Sequence, residues 1–250
     1  MFDMVAILGR GIQRLSAGGS WALTENLELC DTNSAHLPVR APVDDTSPYC
    51  MIGGGEMNLR AGLELIRQHK PKIVVCAYGG RSEYLESING PSESEVMSEM
   101  LYLKMADDPH FMDRWGGPDV RVWPRTRQLP VPSNTRQELL NIFDLALEHD
   151  SIFMQNFPNV AIVTVGVHVP RTATYVAKHL STNPKYQSLC PVVFESEEVL
   201  LAVDRNKFAP EVEAMRNSKS FARNWEREAT GISKIVRDVY GDAKPKVVAV

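Results

Sequence analysis

The 250-residue sequence has few cysteines and no long apolar segment. Its four cysteines form no CxxC pair, which excludes zinc-ribbon and thioredoxin-type sites; they are Cys30, Cys50, Cys76 and Cys190. We interpret them as free thiols in a reducing compartment, with Cys76 in the core. No run of about 18 apolar residues is present, so no membrane span is predicted. Without a signal-peptide pattern, the expected location is cytoplasmic.

Positive charge is also not in excess. Lys and Arg total 27 against 31 for Asp and Glu, so the formal net charge is −4. Because nucleic-acid binders usually carry a basic face, no nucleic-acid partner is predicted. The sequence lacks the P-loop, G-x-S-x-G and H-E-x-x-H motifs and any closed zinc pattern, so no metal is predicted. A small molecule is the expected partner, and the oligomeric state is left open.

What the sequence does contain is a regular alternation of short apolar runs and helical patterns. The apolar runs are 4–8, 72–77, 119–123, 160–165 and 191–194, and the helical patterns are 57–68, 94–105, 136–148 and 170–180. This order predicts an α/β fold, a Rossmann-like doubly wound parallel sheet over 1–203, rather than the alternative α+β arrangement. Residues 204–250 are predicted to be a C-terminal helical appendage, with Pro210 near the start of one helix. Capping boxes are predicted at Ser92/Glu95 and Thr135/Glu138.

The connection over 12–55 is unusually long. It contains three prolines and the triple glycine 53–55. Connections of this length are often functional, so a lid over the site is a hypothesis for this segment.

Ligands of parallel sheets bind at the carboxyl ends of the strands, so the residues that follow each run are candidates. Gly9, Arg10 and Gly11 begin like a dinucleotide fingerprint, although Arg14 stands where the third glycine would be. The alternative is a tight turn after the strand. The second run is followed by three further candidate ligand-binding residues, which are Gly79, Gly80 and Arg81.

The fourth run ends at Gly166, and a helix is predicted to start near Pro170. His168 and Arg171 would then lie at a helix N-terminus and could hold an anion, with His168 as a general acid or base. The alternative is that they only satisfy local groups. Two further sets are either helix caps or site residues: Ser133, Asn134 and Thr135 as ligand contacts, and Glu95 as a catalytic carboxylate.

These residues together resemble the YdcF/SanA/ElyC-like family of bacterial proteins, a group labelled a domain of unknown function. The ordered set that carries the resemblance is the ILG-x-G pattern at 7–11, Arg60, Gly79 and Gly80, Ser94 with Glu95 and Met97, Ser133 to Thr135, and Val163 and Thr164 with His168 and Arg171. The chain departs from the family at Gln137 and Glu138, where Glu and Asn are usual. The resemblance is to the branch without a membrane anchor. It implies a Rossmann-like fold and S-adenosylmethionine as a candidate ligand.

Two functions of different classes follow from this pattern. The first is an enzyme, a transferase or hydrolase, acting on a nucleotide-like or phosphorylated small molecule. The second is a non-catalytic sensor that binds S-adenosylmethionine or a nucleotide. A third option is an interaction module built on an apolar stripe of the C-terminal helices, which are more often packed on their own sheet.

Overall fold

The computed structural model describes residues 1–14, 20–24, 37–38, 53–81, 85–86, 88–111, 117–124, 134–148, 158–217 and 219–237. The predictions for Ser133, Cys30 and Cys50, and most of the lid hypothesis for 12–55, lie outside these residues.

A five-stranded parallel sheet forms the centre of the fold, as the alternating pattern predicts. Its strands stand in the order β6-β5-β1-β7-β8. They are β1 (Met4–Ile7), β5 (Ile73–Cys76), β6 (Asp119–Arg121), β7 (Asn159–Thr164) and β8 (Cys190–Glu195). All four pairings are parallel, with Ile7 opposite both Cys76 and Val163 in the middle of the sheet.

Helices cover both faces of this sheet, which confirms the doubly wound arrangement. They are α1 (Gly55–His69), α2 (Glu93–Ala106), α3 (Thr135–Glu148), α4 (Val169–Thr182), α5 (Ser196–Val203), α6 (Arg205–Arg216) and α7 (Lys219–Val236). Short 3-10 turns lie at Pro109–Phe111, Gly166–His168 and Pro184–Tyr186.

Alternate side chains of β1 divide the core into two layers. Val5 and Ile7 belong to a cluster with residues of α1, α2, α5 and α6. Met4, Ala6 and Leu8 belong to a second cluster with residues of α3, α4 and α7. Because strand side chains alternate between faces, one continuous apolar run contributes to both layers.

The segment predicted as an irregular connection contains a small antiparallel sheet. Its strands β2 (Ile12–Arg14), β3 (Trp21–Leu23) and β4 (Leu37–Pro38) stand in the order β3-β2-β4. The strands are only two or three residues long, too short for an alternating pattern to mark them in the sequence.

Two details of the helices correct the sequence-based predictions. Pro210 lies inside α6, which begins instead at the N-cap Asp204, whose side chain accepts from the Lys207 amide. The helical region also begins before residue 204, because α5 starts directly after β8. Within the part of the chain that the structure describes, no helix is long and apolar enough to cross a membrane.

Candidate active site

The strand order changes direction at β1. From β1 the chain moves outward through β5 and β6, and it then returns to the other side of β1 to form β7 and β8. The carboxyl ends of β1 and β7 therefore form the switch point, where open α/β sheets bind ligands. Segments 8–11 and 165–168 follow these two strands.

The turn after β1 donates its amides to carboxylates. The Gly9 N–H donates to Oε1 of Glu138 at 3.0 Å, and the N–H groups of Arg10 and Gly11 both donate to Oε1 of Glu93 at 2.5 Å. A Cβ on Gly9 would lie 2.6 Å from Oε2 of Glu93, so a larger residue there would displace the Glu93 carboxylate from the turn. Gly11 has a φ of 98°, which also favours glycine. The two glycines of the GxG pattern, Gly9 and Gly11, therefore form a turn whose amides are covered by carboxylates.

The turn after β7 repeats this arrangement. The Gly166 N–H donates to both carboxylate oxygens of Glu197, at 2.9 and 2.8 Å. A Cβ on Gly166 would lie 2.6 Å from Oε1 of Glu195. Glu93, Glu138 and Glu197 all lie in the first turn of a helix, where the helix dipole favours a carboxylate.

A chain of three side chains crosses the switch point. Oγ1 of Thr135 lies 3.1 Å from Nε2 of His168, and Nδ1 of His168 lies 3.1 Å from Oε2 of Glu228. A carboxylate beside Nδ1 favours the tautomer with its proton on that nitrogen, which leaves Nε2 to accept from the threonine hydroxyl. The hydroxyl, the imidazole and the carboxylate therefore lie in series, with an ion-pair contact rather than an aligned hydrogen bond between Nδ1 and Oε2.

Two guanidinium groups complete the cluster. Nη1 of Arg171 lies 3.5 Å from Oε2 of Glu228, and Nη1 of Arg10 lies 3.9 Å from Oε1 of the same carboxylate. Arg10, His168 and Glu228 are 4%, 4% and 5% exposed. Charges this deeply buried are tolerated only when they are paired, so the cluster is held together as a unit.

Burial shifts the pKa values of the site in opposite directions. Burial and the neighbouring Glu93 raise the pKa of Glu138 to about 8. Burial and the charge of Arg10 lower the pKa of His168 to about 4. Burial also raises the pKa of Glu197 to about 7. At neutral pH the site therefore holds a neutral imidazole together with a carboxyl group that keeps its proton for much of the time.

Glu228 keeps its negative charge in spite of burial. Burial alone would raise its pKa, but the contact with His168 and the charges of Arg10 and Arg171 outweigh that effect and lower it. A carboxylate beside a neutral imidazole is the arrangement that orients a general base.

The C-terminal helix α7 brings Glu228 into the site. Its buried positions are Asn224, Glu228, Gly231 and Ile235, which share one helical face. A Cβ on Gly231 would lie 3.3 Å from Nε of Arg171, so the missing side chain lets the helix approach the guanidinium. The appendage predicted from the sequence is therefore part of the site.

The strand end after the second predicted run, at the end of β5, packs against α3. Ala77 follows β5 with a φ of 43°, and the Tyr78 carbonyl accepts from Nδ2 of Asn141 on α3 at 3.1 Å. Gly79 is buried and Gly80 half-buried, and Nη1 of Arg81 donates to the Gly90 carbonyl at 3.1 Å. A backbone hydrogen bond from Tyr78 to Glu138 also connects this turn to the site.

The capping predictions are half right. The Ser92/Glu95 capping box is confirmed, and Glu95 uses its Oε2 to accept from the Ser92 amide at 2.7 Å. The Thr135/Glu138 box is wrong. Asn134 is the cap instead, because its Oδ1 accepts from the Gln137 amide at 3.0 Å. This frees Thr135 to reach His168 and Glu138 to reach the turn after β1.

Sequence reasoning missed four glutamates of the site. Glu95 was the predicted carboxylate, but Glu93, two residues earlier, is the one that covers the turn after β1. Glu138 was predicted only as a capping residue, and Glu197 was not predicted as a site residue. Their positions in first helical turns after strand ends are a signal that could have found them. For Glu228, in the middle of a charged helix, the sequence carries no such signal.

Among the residues that the structure describes, no group of three or more His, Cys, Asp or Glu side chains could hold a metal ion. A scan against models of protein families finds no match. Searches of the curated proteins and of the solved structures find no match either. The YdcF/SanA/ElyC-like resemblance therefore stays a prediction. The geometry of the site is what bears on the function.

Proposed function

We propose that this protein is an enzyme that binds a small polar molecule above the carboxyl ends of β1 and β7 and moves protons on it. The observation that carries the proposal is the buried cluster at the switch point, in which Nε2 of His168 lies 3.1 Å from Oγ1 of Thr135 and Nδ1 lies 3.1 Å from Oε2 of Glu228. Opposite pKa shifts support it, to about 8 for Glu138 and about 4 for His168. Groups whose environments push their pKa values apart are typical of acid and base partners in catalysis.

The proposed roles follow from the protonation states. His168 is neutral at pH 7 and can accept a proton at Nε2. Glu138 is protonated for much of the time and can donate one. The charge of Arg10 affects the pKa of both groups and of Glu228, which supports treating them as one site.

The carboxylates over the turns bear on the class of ligand. Phosphates in related folds are held by turn amides and helix N-termini. Here the amides of Gly9, Arg10 and Gly11 donate to Glu138 and Glu93. This favours a ligand that presents hydroxyl or cationic groups to the carboxylates. The ribose hydroxyls and sulfonium of S-adenosylmethionine have this chemistry, and a nucleoside-type ligand is the substrate class we propose.

A thermal-shift panel tests the binding step. The full chain is heated with S-adenosylmethionine, S-adenosylhomocysteine, nucleotides, nucleotide sugars and sugar phosphates. Ligand at about 100 times its Kd stabilises by roughly 2.7 kcal/mol, a rise in Tm on the order of 5–10 °C for a chain of this size. Glu93→Gln is expected to reduce the shift, whereas Glu64→Gln, a carboxylate on the outer part of α1, is the matched control.

Mass spectrometry of the incubated ligand then tests catalysis. We expect a converted product, and His168→Asn and Glu138→Gln should each slow its formation about 10²-fold or more while the thermal shift remains. A ligand that shifts the Tm and is recovered unchanged would overturn the enzyme in favour of the sensor. No shift with any compound of the panel would overturn the nucleoside-type ligand.

A further inference from the structure

We propose that Thr135 is the nucleophile of this enzyme, activated by His168 and Glu228, and that the substrate presents an acyl carbon to it. This inference rests on the proposed function, because it requires the switch point to be catalytic. It adds a covalent step and names the bond that reacts.

The Thr135 hydroxyl lies where the neighbouring His168 imidazole can activate it. Oγ1 of Thr135 is 3.1 Å from Nε2 of His168, and Nδ1 of His168 is 3.1 Å from Oε2 of Glu228. A nucleophile within hydrogen-bond reach of a base, which a third group orients, is the signature of covalent catalysis on many folds. The order of residue types along the chain differs between folds, so the roles are recognised by geometry and not by sequence position.

The three residues come from three separate elements. Thr135 is the first residue of α3, His168 ends the 3-10 turn before α4, and Glu228 lies in the middle of α7. No single turn or cap of the chain requires them to meet. Local capping is already performed by Asn134, so the Thr135 hydroxyl is not needed to start its helix.

The environment of Thr135 suits a nucleophile. His168 and Glu228 are buried, whereas Thr135 is half-buried, so its hydroxyl lies between the buried pair and the surface. It also lies at the positive end of the α3 dipole, which favours the negative charge that forms during attack. Glu138, one turn further along the same helix, is close enough in sequence to share that face.

The carboxylates select the kind of electrophile. Glu93 covers the turn after β1, and its negative charge disfavours the approach of anionic phosphoryl oxygens. A carbonyl group is neutral before attack and meets no such repulsion. An ester or another acyl compound therefore fits this end of the sheet better than a phosphate ester does.

The reaction balances with water as the second substrate. The Thr135 hydroxyl gives its proton to Nε2 of His168 as Oγ1 forms a bond to the acyl carbon. The bond from that carbon to the leaving oxygen breaks, and the leaving alcohol takes the proton from His168. Water then attacks the acyl carbon and gives a proton to His168. The bond between that carbon and Oγ1 breaks, Oγ1 takes the proton from His168, and the acid leaves. Glu228 stays ionised and stabilises the imidazolium throughout.

Acylation by p-nitrophenyl acetate tests the proposal on the full chain. We expect a burst of p-nitrophenol release, and acid quenching during the burst should trap an acetyl group on the peptide that contains Thr135. Thr135→Val, which keeps the shape but loses the hydroxyl, should lower the acylation rate about 10²-fold or more, whereas Thr135→Ser should keep most of it. The matched control is Thr182→Val, since the Thr182 hydroxyl only bonds the Lys178 carbonyl of its own helix.

Glu228→Gln separates a positioning role from a structural one. It should lower the acylation rate and change its pH profile, because the imidazolium loses its counter-charge. Unchanged far-ultraviolet circular dichroism identifies the variants that fold. Equal acylation of Thr135→Val and the wild type, acetylation elsewhere, or no acetylation at all would overturn the nucleophile. In that case the proposed function still stands if a ligand of the panel is converted by the wild type and not by His168→Asn.

Discussion

The two ends of the central sheet satisfy their backbone groups in different ways. At the amino end main-chain groups bond to each other, since the Lys72 amide donates to the Asp3 carbonyl and the Asp119 amide to the Lys72 carbonyl, both at 2.9 Å. A partly exposed carboxylate, that of Asp3, also accepts there from the Asn159 amide. At the carboxyl end, carboxylates from distant helices accept from the turns, as Glu138 does from Gly9 across 129 residues of sequence. A buried carboxylate costs free energy unless it is paired, so the concentration of several at one end supports the proposed site there.

Replacing one glycine at each end should produce the largest contrast. Gly54, at the carboxyl end, has a φ of 103°, and a Cβ there would lie 2.6 Å from Cγ1 of Val165. Gly117, at the amino end, has a φ of 74°, and its nearest neighbour would be 3.9 Å away. Left-handed backbone costs about 1–2 kcal/mol for any other residue, and crowding a packed site adds about 1–3 kcal/mol.

We therefore expect Gly54→Ala to lose about 4 kcal/mol and Gly117→Ala about 1.5 kcal/mol of unfolding free energy. Urea denaturation of both variants measures the difference. Similar losses would show that Val165 relaxes away from the new methyl group, and the carboxyl end would then be no more tightly packed than the amino end.

Acid titration should separate the two buried histidines at opposite ends of α4. Burial and the charge of Arg10 lower the pKa of His168 to about 4, and burial and the charges of Arg136 and Lys178 lower that of His179 to about 4. Between these values and about 6.5 the unfolded chain binds more protons, so each histidine removes stability as the pH falls, at about 1.4 kcal/mol per pH unit.

Glu138 and Glu197 act in the opposite direction over the same range. Their pKa values are raised to about 8 and about 7, so the folded chain holds protons that the unfolded chain has lost. Their contribution is complete below about pH 4.5 and is lost as the pH rises through the raised pKa values. Because the two effects oppose each other, wild-type stability should change little between pH 4.5 and 6.5.

Single variants should reveal the pH dependence of stability that each group contributes and that cancels in the wild type. Relative to the wild type, His168→Asn and His179→Asn should each gain stability on acidification, and Glu138→Gln should lose it, each by about 1.4 kcal/mol per pH unit. Thermal or urea unfolding at several pH values gives these slopes. A His168 variant that runs parallel to the wild type would mean that this imidazole is charged in the fold.

A third contrast compares the two ends of β7. The Asn159 amide donates to Oδ2 of Asp3, which is partly exposed, and the Gly166 amide donates to Glu197, which is fully buried. Glu197→Ala should cost about 2 kcal/mol, since it leaves a buried amide unpaired, whereas Asp3→Ala should cost about 0.5 kcal/mol because water replaces the carboxylate. Equal losses in chemical denaturation would indicate that water also reaches Gly166.

The smallest expected effect distinguishes Glu95 from the glutamates of the site. Glu95 bonds to the backbone and side chain of Ser92 at the start of α2. Glu95→Ala should therefore cost about 1 kcal/mol, the usual value for a helix cap, at any pH between 6 and 8. Ser92→Ala is the matched variant and should cost a similar amount. A loss above about 3 kcal/mol would point to a role beyond capping.

The sheet was predictable because each of its strands is a continuous apolar run between helical patterns. The runs 72–77 and 160–165 each lie within one or two residues of the observed β5 and β7. The strands β2 to β4 were not predictable, since two or three residues carry no period.

The candidate site was predictable only in part. His168 and Arg171 follow a strand end directly, so their place at the switch point could be inferred from local sequence. Glu228 lies 60 residues beyond His168, and only tertiary packing of α7 brings them together. Glu93 and Glu95 are indistinguishable by type, and the choice between them depends on which one points at the turn after β1.

The contact between Arg10 and Glu228 joins residues from opposite ends of the described chain. During synthesis, which adds about 5–20 residues per second, the sheet can begin to fold before Glu228 has been made. His168 and Arg171 are therefore synthesised several seconds or more before Glu228, the carboxylate that they contact. An unfinished chain that stops before Glu228 would therefore hold a folded sheet in which the Arg10, His168 and Arg171 side chains lack their shared carboxylate.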